Sequence, residues 1–300
     1  MNDKDRTIVT IGSFDGVHRG HQVLLKRMAD LAKKHSLKSV VITFFPHPRQ
    51  TFDVAWETPF LLNVFTEKYE LLKKAGVDEV NVWLFDKTVA NLSPTDFINI
   101  TLIKNLNAHY LVVGQDHRFG RKREGNVQNL LEMASQTQLN VEVVNLKMLD
   151  QKISSSAIRE ALKLGDIDMA NNMLGYNFLI SGQVIEGNRL GQTIGFPTAN
   201  IKTPCYKLLP REGVYRVKVK IGAGKFRYTG MMYIGRRSIV ENSDNSSLVE
   251  VHIFNFKKQI YGQEITIALT HRIRDEIVFE NKEQLAEQLR FDKENILKIK

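Results

Sequence analysis

Within the first 35 residues, a strand pattern runs into a glycine-rich turn and the turn into a helix pattern. Thr7 to Ile11 is apolar and β-branched. Thr10-Ile-Gly-Ser-Phe-Asp-Gly-Val-His-Arg-Gly-His21 follows, and then Val23, Leu24, Met28, Leu31 and Ala32 recur on one helical face. A strand that turns directly into a helix belongs to an α/β sheet. At such a turn, backbone N–H groups and a helix N-terminus face an incoming anion.

No GxGxxG and no GxxxxGK[ST] follows the strand, so neither of those two phosphate-binding motifs is present here. In their place stands His18-Arg-Gly-His21, two imidazoles flanking a glycine that lets the backbone come close. Imidazoles so placed can donate hydrogen bonds to phosphate oxygens and stabilise charge that develops there.

Strand and helix patterns alternate to about residue 178. Ser39–Phe45, Glu79–Phe85, Tyr110–Gly114 and Val141–Asn145 read as strands. Thr66–Gly76, the stretch from Pro94 (capped by Ser93) to about Leu106, and Val127–Thr137 read as helices. Residues 51–65 read as a mobile segment with exposed Phe52, Trp56 and Phe60. From Ile180 the chain reads all-β, with strands at Ile180–Ile185, Val214–Ile221, Phe226–Ile234, Leu248–Phe256 and Glu264–Thr270. Gly222-Ala-Gly-Lys225 reads as a hairpin turn, and a helix from Asn281 to about Leu289 closes the chain. The expectation is a doubly wound parallel-sheet domain over 1–178 and a small closed β-barrel with a terminal helix over 179–300.

Composition narrows the function classes. One cysteine, Cys205, allows no internal disulfide framework and suits a reducing, cytoplasmic setting. No apolar run is long enough to span a bilayer, and the polar start reads as no signal peptide, so no membrane partner is expected. The net charge of +9 falls mostly after residue 180. Lys and Arg are dispersed apart from Arg121-Lys122-Arg123, which suits small phosphorylated ligands and not nucleic acid. Nothing in the sequence fixes the oligomeric state.

Gly12-x-Phe14-Asp15-x-x-His18-x-Gly20-His21 resembles the signature of the HxGH nucleotidylyltransferases. These move a nucleotidyl group from a nucleoside triphosphate and release pyrophosphate. Ile153-Ser-Ser-Ser-Ala-Ile-Arg159 resembles the second signature of the same group, with Ser156 where threonine is common. Read without the resemblance, its serines cap a helix. The resemblance puts Ser154, Ser155, Ser156 and Arg159 on ATP phosphates together with Gly12, Phe14, Asp15 and Gly20, and makes His18, His21 and Arg159 catalytic. Val113-Gly-Gln-Asp116-His-Arg118-Phe119-Gly is similar to a stretch of bacterial FAD synthetases, with His117 where phenylalanine is usual. Asp116, Arg118, Phe119 and the loop residue His47 are therefore candidate flavin contacts.

The β-rich half resembles riboflavin kinase. It carries Gly182, Gly187, Gly191, Gly195 and Phe196-Pro-Thr-Ala-Asn200, then Gly213-Val-Tyr215 and Val249-Glu-Val-His-Ile253. The resemblance implies Thr198 and Asn200 at Mg²⁺ and phosphate, Gly191 and Gly195 at phosphate, and Glu250 as general base. Met231–Ile239 departs from the family's MNIGxRPT, with Tyr233, Ser238 and Ile239 replacing Asn, Pro and Thr. Together the motifs resemble the prokaryotic bifunctional riboflavin kinase/FAD synthetases. The family implies ATP as co-substrate, and riboflavin, FMN and FAD as substrate, intermediate and product. Two competing readings are an HxGH enzyme for another small phosphorylated substrate and a catalytically decayed nucleotide- or RNA-binding regulator.

Overall fold

The computed structural model describes residues 6–48, 60–121, 124–145, 153–187, 190–236 and 247–299. The chain divides into two compact units. One comprises Met1–Glu57 with Phe65–Ser154, the other Thr58–Val64 with Ser155–Lys300.

The first unit is a five-stranded parallel sheet in the order β3-β2-β1-β4-β5. Its strands are β1 (Thr7–Ile11), β2 (Lys38–Phe45), β3 (Glu79–Leu84), β4 (Ala108–Gly114) and β5 (Asn140–Val144). Because side chains alternate along a strand, β1 feeds two cores. Ile8 packs with Val41 and Val112 under α1 (Arg19–His35), against Leu24, Leu25 and Met28, and under α2 (Phe65–Lys74), against Leu72. Val9 and Ile11 face the other way, into Phe97, Ile98, Leu102 and Leu130, the last on α3 (Val127–Ala134). Helices therefore cover both faces, and the order reverses between β1 and β4. In open α/β sheets, ligands bind in the crevice beyond the strand ends at such a point.

Several local expectations are corrected. Val23 is exposed, and Leu25 takes the buried place on α1. After the Ser93 cap, only Pro94–Asp96 is α-helical, and Phe97–Asn105 is wound as a π-helix. Phe60 is fixed: its N–H donates to the Tyr206 carbonyl at 3.0 Å. Phe52 and Trp56 lie outside the described residues, as do Lys122, Arg123, Ser238 and Ile239.

The second unit is a closed antiparallel barrel in the order β10-β7-β6-β11-β8-β9. It comprises β6 (Leu179–Ile185), β7 (Ala199–Lys202), β8 (Gly213–Ile221), β9 (Tyr228–Arg236), β10 (Ser247–Ile253) and β11 (Glu264–Arg274). β7 was not legible as a strand, since four residues beginning at Ala199 are too few to show alternation. Two helices, α4 (Ser155–Leu164) and α5 (Ile167–Leu174), join this unit. The Asn171 amide of α5 donates to the Leu269 carbonyl at 2.9 Å, and the Arg211 N–H donates to the Leu162 carbonyl at 2.9 Å.

The terminal helix α6 (Lys282–Lys298) is much longer than expected. What extends it is a buried charge. Asp292, only 1 % exposed, accepts from Arg274 Nε and Nη2 of β11 at 2.9 and 2.8 Å, and from Gln288 at 2.8 Å. Ile296 anchors the next turn against Phe196, Val214, Met231 and Phe254. Removing one partner of a buried pair leaves the other uncompensated, so Asp292→Ala should cost the second unit about 3 kcal/mol. Urea unfolding followed by circular dichroism measures this, and an unchanged midpoint would remove the pair from the account.

Candidate active sites

The turn between β1 and α1 holds the first site. Phe14 and Val17 adopt φ of 47° and 34°, in the left-handed region that L side chains avoid, and Gly16 joins them at 88°. This tight path delivers His18 to the N-cap of α1, where its Nδ1 accepts the N–H of His21 at 3.4 Å. An Nδ1 that accepts leaves the proton of a neutral ring on Nε2, which can then donate. The His18 and His21 rings stack 3.8 Å apart, and Phe14 meets His21 edge-on at 5.1 Å. Burial, then repulsion from His18 and from Lys68, holds the His21 ring well below the ordinary histidine value of 6.5. His21 is thus a neutral hydrogen-bonding group at neutral pH and not a fixed cation. Its Nδ1 is buried with no partner among the described residues. Asp15 and Gly20 are buried within the same turn and helix start.

A cavity of about 420 Å³ opens beside this turn, at the C-terminal edge of the sheet. Gly12 and Ser13 from the end of β1, His47 and Pro48 after β2, and Asp116 to Gly120 after β4 all line it. Phe44, Trp83, Phe85 and Phe97 supply its aromatic, apolar walls. The structure therefore gathers Gly12, His47, Asp116, Arg118 and Phe119 around one space. His117 lies parallel to Phe119 at 6.1 Å, so the departure at 117 retains a flat ring. Ser154 precedes α4, Ser155 opens it and Ser156 is exposed. Arg159 donates from Nε to the Phe60 carbonyl at 2.9 Å, and its guanidinium lies 3.7 Å above the Phe60 ring.

The second site lies in the barrel unit, in a cavity of about 350 Å³. Thr198, Glu250, His252, Tyr233, Arg274 and Gly191 are among its lining, with Leu285 and Leu289 of α6 opposite. The face of β10 that bears Glu250 looks into a mostly apolar cleft, where Glu250 is half-buried. β10 pairs with β7 so that Glu250 stands opposite Asn200. It also pairs with β9 so that Glu250 stands opposite Tyr233. Two glycines hold the motif in place. A Cβ on Gly187 would fall 2.0 Å from the Asn200 amide nitrogen, and one on Gly191 would fall 2.2 Å from the Phe196 carbonyl. Gly195 instead makes the turn itself, with φ of 83°.

Two residues missed in the sequence support this site. His252 shares the face of Glu250, and its Nδ1 lies 2.8 Å from the Pro197 carbonyl, which can only accept. The bond fixes the backbone immediately before Thr198. Burial lowers the His252 pKa, against the pull of this bond, which favours the protonated ring. Period-two alternation places His252 beside Glu250, so the signal was there. The other is Glu276, which accepts the Tyr233 hydroxyl. Burial, and then the Glu276 carboxylate, raise the Tyr233 pKa far enough to keep the phenol protonated. Room for the Tyr233 ring comes from Gly235, where a Cβ would fall 2.0 Å from the phenol oxygen.

The sequence matches the family model for FAD synthetase over residues 1–157 and that for riboflavin kinase over 174–300. It is 40% identical over 287 residues to the bifunctional riboflavin kinase/FMN adenylyltransferase of Haemophilus influenzae, covering 95% of this chain and 92% of that protein. The chain belongs to the bifunctional riboflavin kinase/FMN adenylyltransferase family. The Escherichia coli K12 member is 36% identical over 288 residues, covering 95% of this chain and 90% of that one. A solved structure from Streptococcus pneumoniae, described as a macrolide-efflux protein, is 31% identical with a TM-score of 0.88. That alignment covers 100% of this chain and 96% of that one. Among the residues described here, no helix is long and apolar enough to cross a membrane.

As a bifunctional riboflavin kinase and FMN adenylyltransferase, the protein takes riboflavin, FMN and ATP as substrates. The glycine cradle then yields a test. Gly187→Ala should displace the Asn200 amide and lower FMN formation from riboflavin at least tenfold, while FAD formation from supplied FMN continues. Separating the two flavins by chromatography reads both rates in one sample, and equal loss of both would point to unfolding instead.

Proposed function

We propose that the two activities divide between the two cavities, with riboflavin phosphorylation beside Glu250 and adenylyl transfer at the turn that carries His18 and His21. The observation that carries this reading is the register that sets Glu250 opposite Asn200, with Thr198 lining the same cleft. At the barrel, the terminal ribityl hydroxyl of riboflavin attacks the γ-phosphorus of ATP. Its proton passes to Glu250, the bond from the γ-phosphorus to the bridging oxygen breaks, and ADP leaves. A hydroxyl is a poor nucleophile at neutral pH, so a carboxylate that accepts its proton matters.

At the sheet edge, a phosphate oxygen of FMN attacks the α-phosphorus of ATP and pyrophosphate leaves. That nucleophile is already anionic, so no general base is needed. Positioning and charge stabilisation suffice, which is what the N–H donors of His18 and His21 and the α1 N-terminus provide. The cavity lined by His47, Asp116, Arg118 and Phe119 is assigned to the flavin of FMN. Ser154, Ser155, Ser156 and Arg159 keep, from their motif, a role on ATP phosphates.

Mg²⁺ fits the barrel donor set. Thr198 and Asn200 supply a hydroxyl and an amide oxygen, and the missing Cβ of Gly187 leaves the Asn200 amide unobstructed. Among the described residues no group of three His, Cys, Asp or Glu could hold a metal. Mg²⁺ does not need such a cage, because it keeps waters and takes phosphate oxygens as ligands. When bound, it would neutralise charge on the phosphates. A cytoplasmic setting, where ATP is available, completes the reading, with small molecules as its only assigned partners.

A pair of variants tests the division. Glu250→Gln keeps size and most hydrogen-bonding capacity and should slow FMN formation by ~10²–10⁴, with FAD formation from FMN preserved. His21→Ala should do the reverse, lowering FAD formation by ~10² or more. A folded Glu250→Gln protein that phosphorylates riboflavin at the normal rate would remove Glu250 from the mechanism.

A further inference from the structure

Helix α2 turns charge inward. Its buried residues are Glu67, Lys68 and Leu72. An ammonium taken out of water is costly unless it is hydrogen-bonded and faces opposite charge. Lys68 has both. Its Nζ donates to the Ser13 carbonyl at 3.2 Å and to Thr43 Oγ1 at 3.0 Å, and that hydroxyl donates to the same carbonyl at 3.2 Å. Buried Asp15 faces it electrostatically from the turn.

Ser13 immediately precedes Phe14, the first of the left-handed positions, and lines the cavity beside the turn. Non-glycine residues in that region persist only where their surroundings hold them. We propose that Lys68 is a positioning residue for adenylyl transfer, tying the Ser13 carbonyl to β2 and setting a fixed positive charge beside Asp15 and His21. A hydrophobic side chain would fill the same volume at lower desolvation cost. It would tie down no carbonyl and supply no charge where phosphate must bind. The inference rests on adenylyl transfer taking place at this turn.

Among the described residues, Asp15 acts on the Lys68 ammonium, and His18 and Lys68 act on the His21 ring; buried Glu67 precedes Lys68 on α2. Burial lowers the Lys68 pKa to about 8, against the pull of Asp15. The ammonium is therefore charged at neutral pH and loses its charge as the pH rises through about 8. FAD synthesis should fall along that limb. A guanidinium stays protonated throughout this range, so Lys68→Arg should retain its activity to higher pH.

The experiment uses the full chain with FMN, ATP and Mg²⁺, following FAD by chromatography, with riboflavin phosphorylation as the control. Lys68→Met should lower FAD formation by ~10², as removing one preorganised donor does, and leave FMN formation unchanged. Lys68→Arg should recover part of the rate and shift the alkaline limb upward. Near-normal FAD formation by Lys68→Met, or parallel loss of both activities, overturns the proposal. If the methionine variant does not fold, Lys68→Gln takes its place, and near-normal FAD formation by that variant also overturns the proposal. His21→Ala with intact FAD synthesis would instead sink the site itself. An inactive His21→Ala beside an active Lys68→Met would sink only the role of Lys68.

Discussion

The first unit depends on β1 being paired on both sides. Its residues bond in parallel to β2 and to β4, so the strand has no edge and its end cannot drift. A chain leaving such a strand has to turn sharply to reach the helix that covers it. Here the turn passes through Phe14, Gly16 and Val17 in left-handed backbone. That conformation is costly in isolation and is held from several sides. The Val17 N–H donates to the Phe14 carbonyl at 3.2 Å, and Gln22 donates to the Val17 carbonyl at 2.8 Å. Lys68 and Thr43 hold the Ser13 carbonyl, as described above. The result is a rigid frame that sets two imidazoles at one helix start, so that little would have to reorganise for the adenylyl transfer proposed there.

The barrel solves a similar problem with register in place of strain. Closure fixes which residues face one another, and a slip of one position would move Glu250 to the opposite face of β10. β10 is locked on both sides, by Tyr233 of β9 and Asn200 of β7. The cleft this creates is closed by α6, which the Arg274–Asp292 pair fastens to β11. Tyr233 occupies a position where the family motif has asparagine, and its phenol is engaged by Glu276. The cleft of this chain is thus shaped by an aromatic ring that Gly235 makes room for.

Much of this was legible in the sequence because both halves speak in short-range patterns. The strand–turn–helix start, the alternation through β5 and the change to all-β near residue 180 follow from periodicity and turn chemistry. The HxGH signature pointed to the histidines, and the riboflavin kinase resemblance pointed to Glu250. What stayed hidden depends on distant contacts. β7 is four residues long, and only its partners β6 and β10 make it a strand. Lys68 and Glu67 sit where a helical wheel reads a solvated face, although Lys68 shares its stripe with Leu72, four residues on. The length of α6 hinged on Asp292, whose burial comes from Arg274 eighteen residues earlier. His252 was readable as a neighbour of Glu250, but its bond to Pro197 spans 55 residues.

The central claim is that one chain holds two chemically independent phosphorus-transfer sites joined only by their shared metabolite. Mixing separately purified Glu250→Gln and His21→Ala proteins tests it most directly. With riboflavin, ATP and Mg²⁺, neither protein alone should build up FAD at the wild-type rate. The mixture should, after a lag in which free FMN rises and then falls. A mixture that forms FMN but no more FAD than the single proteins, though both are folded, would contradict two independent sites linked by diffusible FMN.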